Sequence, residues 1–198
     1  MIIWISGVGA VVKSTVTHMI KNKLKKHYSN MYEGDNPFFS SKNGYKIPFS
    51  TYGGKVMVIG RSGKQVMYGS DGVTIGLSKF QDFLHYECFK WKPVFSPHLI
   101  IEGHKFISKD AMHDYLIEKN IDYKMYYLTA PRDIIDKRSK ERANGWDNRI
   151  RTDKLITNQL ESYSELTLKY KDNVVIRQSE TTKQQESITD EIFKDLKL

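Results

Sequence analysis

The sequence predicts a three-layer α/β fold with a mostly parallel sheet. Short apolar runs, such as residues 2–5 and 99–101, alternate with longer segments in which apolar residues recur at helical spacing. The first run is followed at once by a glycine turn and an amphipathic segment, which is the order of a strand–loop–helix unit. Alternation of this kind places helices on a parallel sheet. The 198 residues are enough for one well-buried domain, which we assign to residues 1–198.

Strands are predicted where short β-branched or aromatic runs lie between turn residues. Uninterrupted apolar runs indicate buried strands, whereas residues 45–51 and 55–61 could pair as a hairpin across Gly53 and Gly54. The rest of the segment 29–55 is expected to be irregular. In chain order, the predicted strands are residues 2–5, 45–51, 55–61, 98–102, 123–128 and 174–176.

Helices are predicted where apolar residues at helical spacing follow a start signal. Ser78 with Gln81 has the pattern of a capping box, and Pro131 occupies the position that proline favours at a helix start. A helix that ends with the chain carries apolar residues from Ile188 to Leu196. The other predicted helices begin near residues 13, 78, 108, 131 and 152.

The strongest motif is residues 7–15, GVGAVVKST, which follow the phosphate-binding pattern G-x-x-x-x-G-K-[ST] except at one position. The glycine expected before Lys13 is Val12. We expect its β-branched side chain to crowd bound phosphates and to resist a backbone angle that only glycine tolerates. The residues predicted to bind a nucleotide are Gly7, Gly9, Val12, Lys13, Ser14 and Thr15, with Ser14 as the Mg²⁺ ligand. The alternative is an ordinary βα turn with a solvated Lys13.

Glu102 follows the apolar run 99–101 and is itself followed by Gly103. Ligands bind beyond the carboxyl ends of parallel strands, and Glu102 is predicted to lie there. Its carboxylate could hold metal-bound water or accept the proton of an attacking hydroxyl, so we predict a catalytic role. The alternative is an acid that only caps a loop.

Five arginines follow the strand predicted at 123–128. Arg138 and Arg142 are four residues apart and therefore share a helical face. We predict that they are catalytic and belong to a lid over about residues 138–152, because guanidinium groups neutralise a phosphoryl group in transfer. The alternative is a solvated charged helix. The five are Arg132, Arg138, Arg142, Arg149 and Arg151.

Composition narrows the class of protein. The formal net charge is +8, which favours anionic partners such as nucleotides or nucleic acid. The single cysteine cannot form an internal disulfide, and no apolar run approaches the length of a membrane span. The six histidines lack paired metal-binding spacing, so a zinc site is not predicted. We expect a cytoplasmic protein without a membrane partner.

The motifs together resemble the nucleoside and nucleotide kinase branch of the phosphate-loop proteins. The resemblance is carried by residues 5–7 and 13–15, by IEG at 101–103 and by LTAPR at 128–132 with the arginines that follow. It implies a five-stranded parallel sheet, an ATP–Mg²⁺ donor and an arginine-bearing lid.

A narrower set of residues is similar to bacteriophage kinases that phosphorylate 5-hydroxymethyluracil in DNA. These are residues 56–61 (VMVIGR), 69–71 (GSD) and 77–78 (LS). The resemblance implies an acceptor-side insertion over about residues 29–77, in which Arg61, Asp71 and Asp35 bind the substrate. A base in a duplex would have to be flipped out to reach the phosphate loop. The host cytoplasm would then be the site of action.

The hypothesis with most support is an ATP-dependent kinase that phosphorylates the 5-hydroxymethyl group of a modified pyrimidine in DNA. A nucleoside or nucleoside monophosphate kinase is the alternative. A nucleic-acid-binding pseudokinase disabled at Val12 is a second alternative, because the residue departs from the phosphate-binding pattern. One fold serves many acceptors, so the motifs leave these three readings open.

Overall fold

Strand β1 (Ile2–Gly7) is the middle one of five parallel strands, and all six of its residues are buried. Such a run has no alternation of polar and apolar residues because both faces of the strand are covered. The computed structural model describes residues 1–8, 11–35, 48–59, 76–85, 98–103, 105–143 and 153–198. The other strands, in chain order, are β2 (Met31–Asp35), β3 (Pro48–Tyr52), β4 (Val56–Ile59), β5 (His98–Glu102), β6 (Tyr123–Thr129) and β7 (Val174–Gln178).

The sheet is mixed and its spatial order is β2-β3-β4-β5-β1-β6-β7. Strands β4, β5, β1, β6 and β7 pair in parallel, whereas β3 is antiparallel to both β4 and β2. The expected five-stranded sheet is therefore wrong, since seven strands are described. The difference is the antiparallel pair β2–β3, which extends one edge.

Strand β3 and strand β4 form the predicted hairpin, and this prediction is confirmed. Gly53 and Gly54 make the turn with φ of 57° and 64°, angles that glycine adopts without strain. Strand β2 lies where irregular chain was expected. Its exposed Met31 and Tyr32 explain the error, because an edge strand with little buried apolar surface has no clear pattern.

Six helices are described, and they cover both faces of the sheet. Tyr126 of β6 donates a hydrogen bond to Asp195 of helix α6 (Thr182–Asp195). Its neighbour Tyr127 stacks on Tyr163 of helix α5 (Asp153–Lys169). Successive strand residues point to opposite faces, so α5 and α6 lie on opposite sides. The helices are α1 (Lys13–His27), α2 (Leu77–His85), α3 (Asp110–Glu118), α4 (Arg132–Ala143), α5 (Asp153–Lys169) and α6 (Thr182–Asp195).

The observed start of helix α2 corrects one prediction. Ser78 lies inside α2, which begins at Leu77, and the side chain of Gln81 donates to the carbonyl of Ala111 at 3.1 Å. A capping box is instead present at α6, between Thr181 and Gln184. Its T-x-x-Q spacing is visible in the sequence and is of the same kind as the spacing of Ser78 and Gln81, so spacing alone does not decide which of the two forms a capping box. Among the described helices, none has the length and apolarity needed to cross a membrane.

Candidate active site at the carboxyl ends of the parallel strands

The turn after β1 requires glycine at its first position. Gly7 has a φ of 143°, and a Cβ atom there would lie 2.3 Å from the carbonyl oxygen of Leu128 and 2.8 Å from a methyl group of Val11. The backbones of β1 and β6 therefore approach each other more closely than any side chain permits. Gly9, the second predicted glycine, lies outside the described residues.

Val12 occupies the left-handed region, with φ of 57° and ψ of 31°. Its carbonyl accepts hydrogen bonds from the backbone N–H groups of Thr15 and Val16, at 3.0 and 3.1 Å, so it caps the first turn of α1. A β-branched residue in this conformation costs about 1–2 kcal/mol relative to glycine. The chain thus keeps a glycine-like backbone angle at the position where the motif has glycine, and the valine is strained there.

Lys13 is the first residue of α1, and its side chain folds back over the loop. Its Nζ donates to the carbonyl of Gly7 at 2.9 Å and to the carbonyl of Val8 at 3.1 Å. The ammonium group is therefore held over the turn, next to the N-terminus of a helix. A cation beside the N-terminus of a helix favours an anionic ligand.

Ser14 and Glu102 are brought together from positions 88 residues apart. The Ser14 hydroxyl donates to Glu102 Oε1 at 2.7 Å. Strand β5 makes this possible because Glu102 pairs with Ile5 in the register of β1, two residues before Gly7. Two oxygen-bearing side chains in contact are suitable ligands for Mg²⁺, which prefers oxygen.

The position of Glu102 is fixed by the residue that follows it. The backbone N–H of Gly103 donates to the carbonyl of Ile5 at 3.0 Å, and its own carbonyl accepts from the Trp4 indole at 2.9 Å. Gly103 has a φ of 127°, so the chain turns away immediately after the carboxylate. Strand β5 therefore presents Glu102 at its end and is tied there to β1.

Two contacts that the sequence did not suggest connect β1 and the loop after it to more distant parts of the chain. Tyr163 of α5, which is buried, shares a hydrogen bond of 2.8 Å with the hydroxyl of Ser6. The fully buried Ser179 follows β7 and donates to the carbonyl of Val11 at 3.0 Å. Neither residue has a sequence signal, because a buried serine or tyrosine fits many α/β proteins equally well.

The remaining predicted residues are only partly placed. Thr15 is exposed in the first turn of α1. Arg138 donates from Nη2 to the carbonyl of Glu180 at 2.6 Å, next to Ser179, so it lies near the end of β7. Arg61, Asp71 and the lid segment 144–152 lie outside the described residues, as do the side chains of Asp35 and Arg142.

Comparison with known proteins adds a distant likeness. No family model matches the sequence, and no curated protein is significantly similar to it. The fold is similar to that of a shikimate kinase from Bacteroides thetaiotaomicron, with 13% identity and a TM-score of 0.45 over 100% of this chain and 99% of that one. A gluconokinase from Sinorhizobium meliloti 1021 has 12% identity and a TM-score of 0.40 over 98% and 95%. Nothing about activity follows from likeness this distant.

Proposed function

We propose that this protein is a phosphotransferase that binds Mg²⁺–ATP at the turn after β1 and transfers the γ-phosphoryl group to a hydroxyl. The hydrogen bond between Ser14 and Glu102 carries the proposal. It joins the start of α1, which carries the end of the phosphate-binding motif, to the acid at the end of the adjacent parallel strand β5. Phosphoryl transfer relies on positioning and charge neutralisation, which these groups can supply.

Each residue has a distinct part in this mechanism. Lys13 would exchange its contacts with the carbonyls of Gly7 and Val8 for the β- and γ-phosphate oxygens. Ser14 would hold Mg²⁺, which would neutralise charge on the phosphates when bound. Glu102 would accept the proton of the attacking hydroxyl or orient it. Arg138, moved from the carbonyl of Glu180, would stabilise charge on the phosphoryl group in transfer.

For the acceptor, we propose the 5-hydroxymethyl group of a modified pyrimidine in DNA. Support comes from the formal charge of +8 and from the motifs at residues 56–61 and 69–71. Arg61, Asp71 and Asp35 are proposed to contact this substrate. A nucleoside or a nucleoside monophosphate would need the same donor site and a smaller acceptor site.

A second candidate, a nucleic-acid-binding protein without kinase activity, is favoured by one observation. Val12 adopts left-handed backbone angles, and it adds a β-branched side chain to the loop that would have to surround the phosphates. A protein that no longer binds ATP would tolerate such a residue. The two candidates differ in the affinity for Mg²⁺–ATP, which calorimetry measures directly.

The deciding experiment is transfer of labelled γ-phosphate from ATP to a panel of acceptors. The panel contains a duplex with one 5-hydroxymethyluracil, the same duplex with thymine, free nucleosides, nucleoside monophosphates and small hydroxylic metabolites. Labelling of the modified duplex alone supports the proposed acceptor, and labelling of monomers alone replaces it. Absence of both ATP binding and transfer would overturn the kinase proposal and favour the second candidate.

A further inference from the structure

A cluster of polar side chains interrupts the apolar face of the sheet beneath α1. Registered residues of neighbouring strands point to the same face, which here includes the fully buried Ile3, Ile100 and Val58. The same row continues from β4 into β3 and β2, where Ser50 pairs with Val58 and Glu33 pairs with Ser50. The row therefore changes from apolar to polar at the strands β3 and β2.

Lys21 of α1 reaches this polar cluster and is itself buried, with 3% of its surface exposed. Its Nζ donates to the Ser50 hydroxyl at 3.3 Å, and that hydroxyl donates to Glu33 Oε1 at 3.3 Å. Ser50 is also 3% exposed, whereas Glu33 lies at the surface. One hydroxyl thus bridges a helix cation and an edge-strand carboxylate.

A lysine is an unfavourable choice for filling this space. Removing an ammonium group from water is unfavourable, and replacing a buried ion by an apolar residue of similar volume is often neutral or stabilising. Burial lowers the pKa of Lys21, and the carboxylates of Glu33 and Glu102 oppose that effect. The charge at this position therefore needs a reason other than packing.

The location of Lys21 gives that reason. It lies about two helical turns after Lys13 and Ser14 on the same helix, so it moves with the start of α1. Its partners belong to β2 and β3, which lie within residues 29–77, the segment proposed to bind the acceptor. The contacts of Lys21 consequently join the nucleotide end of the fold to the acceptor edge.

We propose that Lys21 is a positioning residue that couples the nucleotide-binding end of α1 to the antiparallel strands β2 and β3. The coupling rests on the proposed function, because it needs a nucleotide at Lys13 and Ser14. When the nucleotide fixes the start of α1, Lys21 holds Ser50, and through it Glu33, at a set distance from the phosphate loop. The acceptor edge is then ordered before the acceptor binds.

The test is backbone hydrogen exchange in residues 31–35 and 48–52, with and without Mg²⁺ and a non-hydrolysable ATP analogue. We expect the analogue to slow exchange about fivefold or more in the natural protein. Lys21→Met should remove this slowing while the analogue's Kd stays within about threefold. Lys23→Met is the matched control, since Lys23 is on the same helix but pairs at the surface with Asp190.

Each outcome is decisive. Slowing that persists in Lys21→Met, or that is lost equally in Lys23→Met, overturns the coupling and leaves the kinase proposal intact. Analogue binding without any slowing in the natural protein does the same. Failure of the natural protein to bind the analogue overturns the proposed function and the coupling together. If Lys21→Met does not fold, Ser50→Ala removes the bridging hydroxyl instead, and persistence of the slowing in that variant also overturns the coupling.

Discussion

The Ser14 hydroxyl donates to the carboxylate of Glu102 at 2.7 Å, although 88 residues separate the two in the chain. The contact forms because β5 is hydrogen-bonded to β1 in parallel and both strands end at the same edge of the sheet. It brings a helix-start hydroxyl and an acid together beside Lys13. The predictions below test what each of these groups does.

Lys13→Ala should lower the rate of phosphoryl transfer by about a hundred- to a thousandfold or more, because the lost ammonium neutralises charge on the transferring group. Turnover is measured with labelled ATP, and folding is checked by thermal unfolding. Lys26→Ala, an exposed change at the other end of α1, is the control. Equal turnover in Lys13→Ala and the natural protein would remove the phosphate loop from the mechanism.

Glu102→Gln should lower kcat by about a hundredfold or more with little change in ATP affinity. The amide oxygen can still accept the hydrogen bond from Ser14, so the substitution removes the charge and keeps the geometry. Steady-state kinetics and calorimetry separate the two effects. A parallel loss of ATP binding would instead make Glu102 a ligand needed to hold the metal–nucleotide complex.

Val12→Gly should tighten ATP binding and raise activity. Glycine adopts φ of 57° freely, so we also expect a net stabilisation of about 0.5–1 kcal/mol after the added flexibility of the unfolded chain is subtracted. Asn120→Gly is the control, because Asn120 has a φ of 50° away from the loop and should leave ATP affinity unchanged. If Val12→Gly gains nothing in affinity, the valine side chain does not obstruct the phosphates.

Arg138→Gln should lower kcat by about a hundredfold if the guanidinium turns from the carbonyl of Glu180 to the phosphoryl group. Lys137→Gln changes the charge of an exposed neighbour and should have little effect. Both variants are compared by kcat and by unfolding temperature. Loss of stability in Arg138→Gln at unchanged kcat would assign the arginine to holding the chain after β7.

Stability should fall as the pH drops below about 6.5, partly through His113. This histidine is fully buried between the Ile107 carbonyl, at 2.8 Å from Nε2, and the Tyr123 hydroxyl, at 2.9 Å from Nδ1. Burial lowers its pKa, so the unfolded chain binds a proton at a pH where the folded protein does not. The stability that His113 contributes is present above its pKa in the unfolded chain. It is lost as the pH falls towards its pKa in the folded protein.

The contribution of His113 is isolated by comparing urea unfolding of the natural protein and His113→Gln between pH 8 and pH 5. The slope of the free energy of unfolding should be smaller in the variant, by up to about 1.4 kcal/mol per pH unit. The pKa of His98 is also lowered by burial, so part of the slope should remain. His18→Gln, an exposed change, should keep the full slope. Equal slopes in all three proteins would contradict the assignment.

Much of the candidate site around Lys13 could be predicted from local sequence patterns. The buried strand before Gly7, the helix that begins at Lys13 and the position of Glu102 at a strand end all depend on residues close together in the chain. The departure at Val12 was also visible, but the expected resistance to a glycine-like angle is wrong, because Val12 has a φ of 57° in spite of the strain on a β-branched residue. The antiparallel pair β2–β3 could not be predicted in full, because exposed edge strands lack a strong apolar pattern.

The sequence by itself determined the phosphate-binding motif, the central parallel strands and the acid that follows one of them. Only the tertiary structure decided that Ser14 touches Glu102, that Tyr163 meets Ser6, and that the buried Lys21 joins the hairpin. The physical reason is the range of the forces involved. Steric preferences and apolar periodicity act over a few residues, whereas strand register and helix packing bring together residues that no local pattern connects.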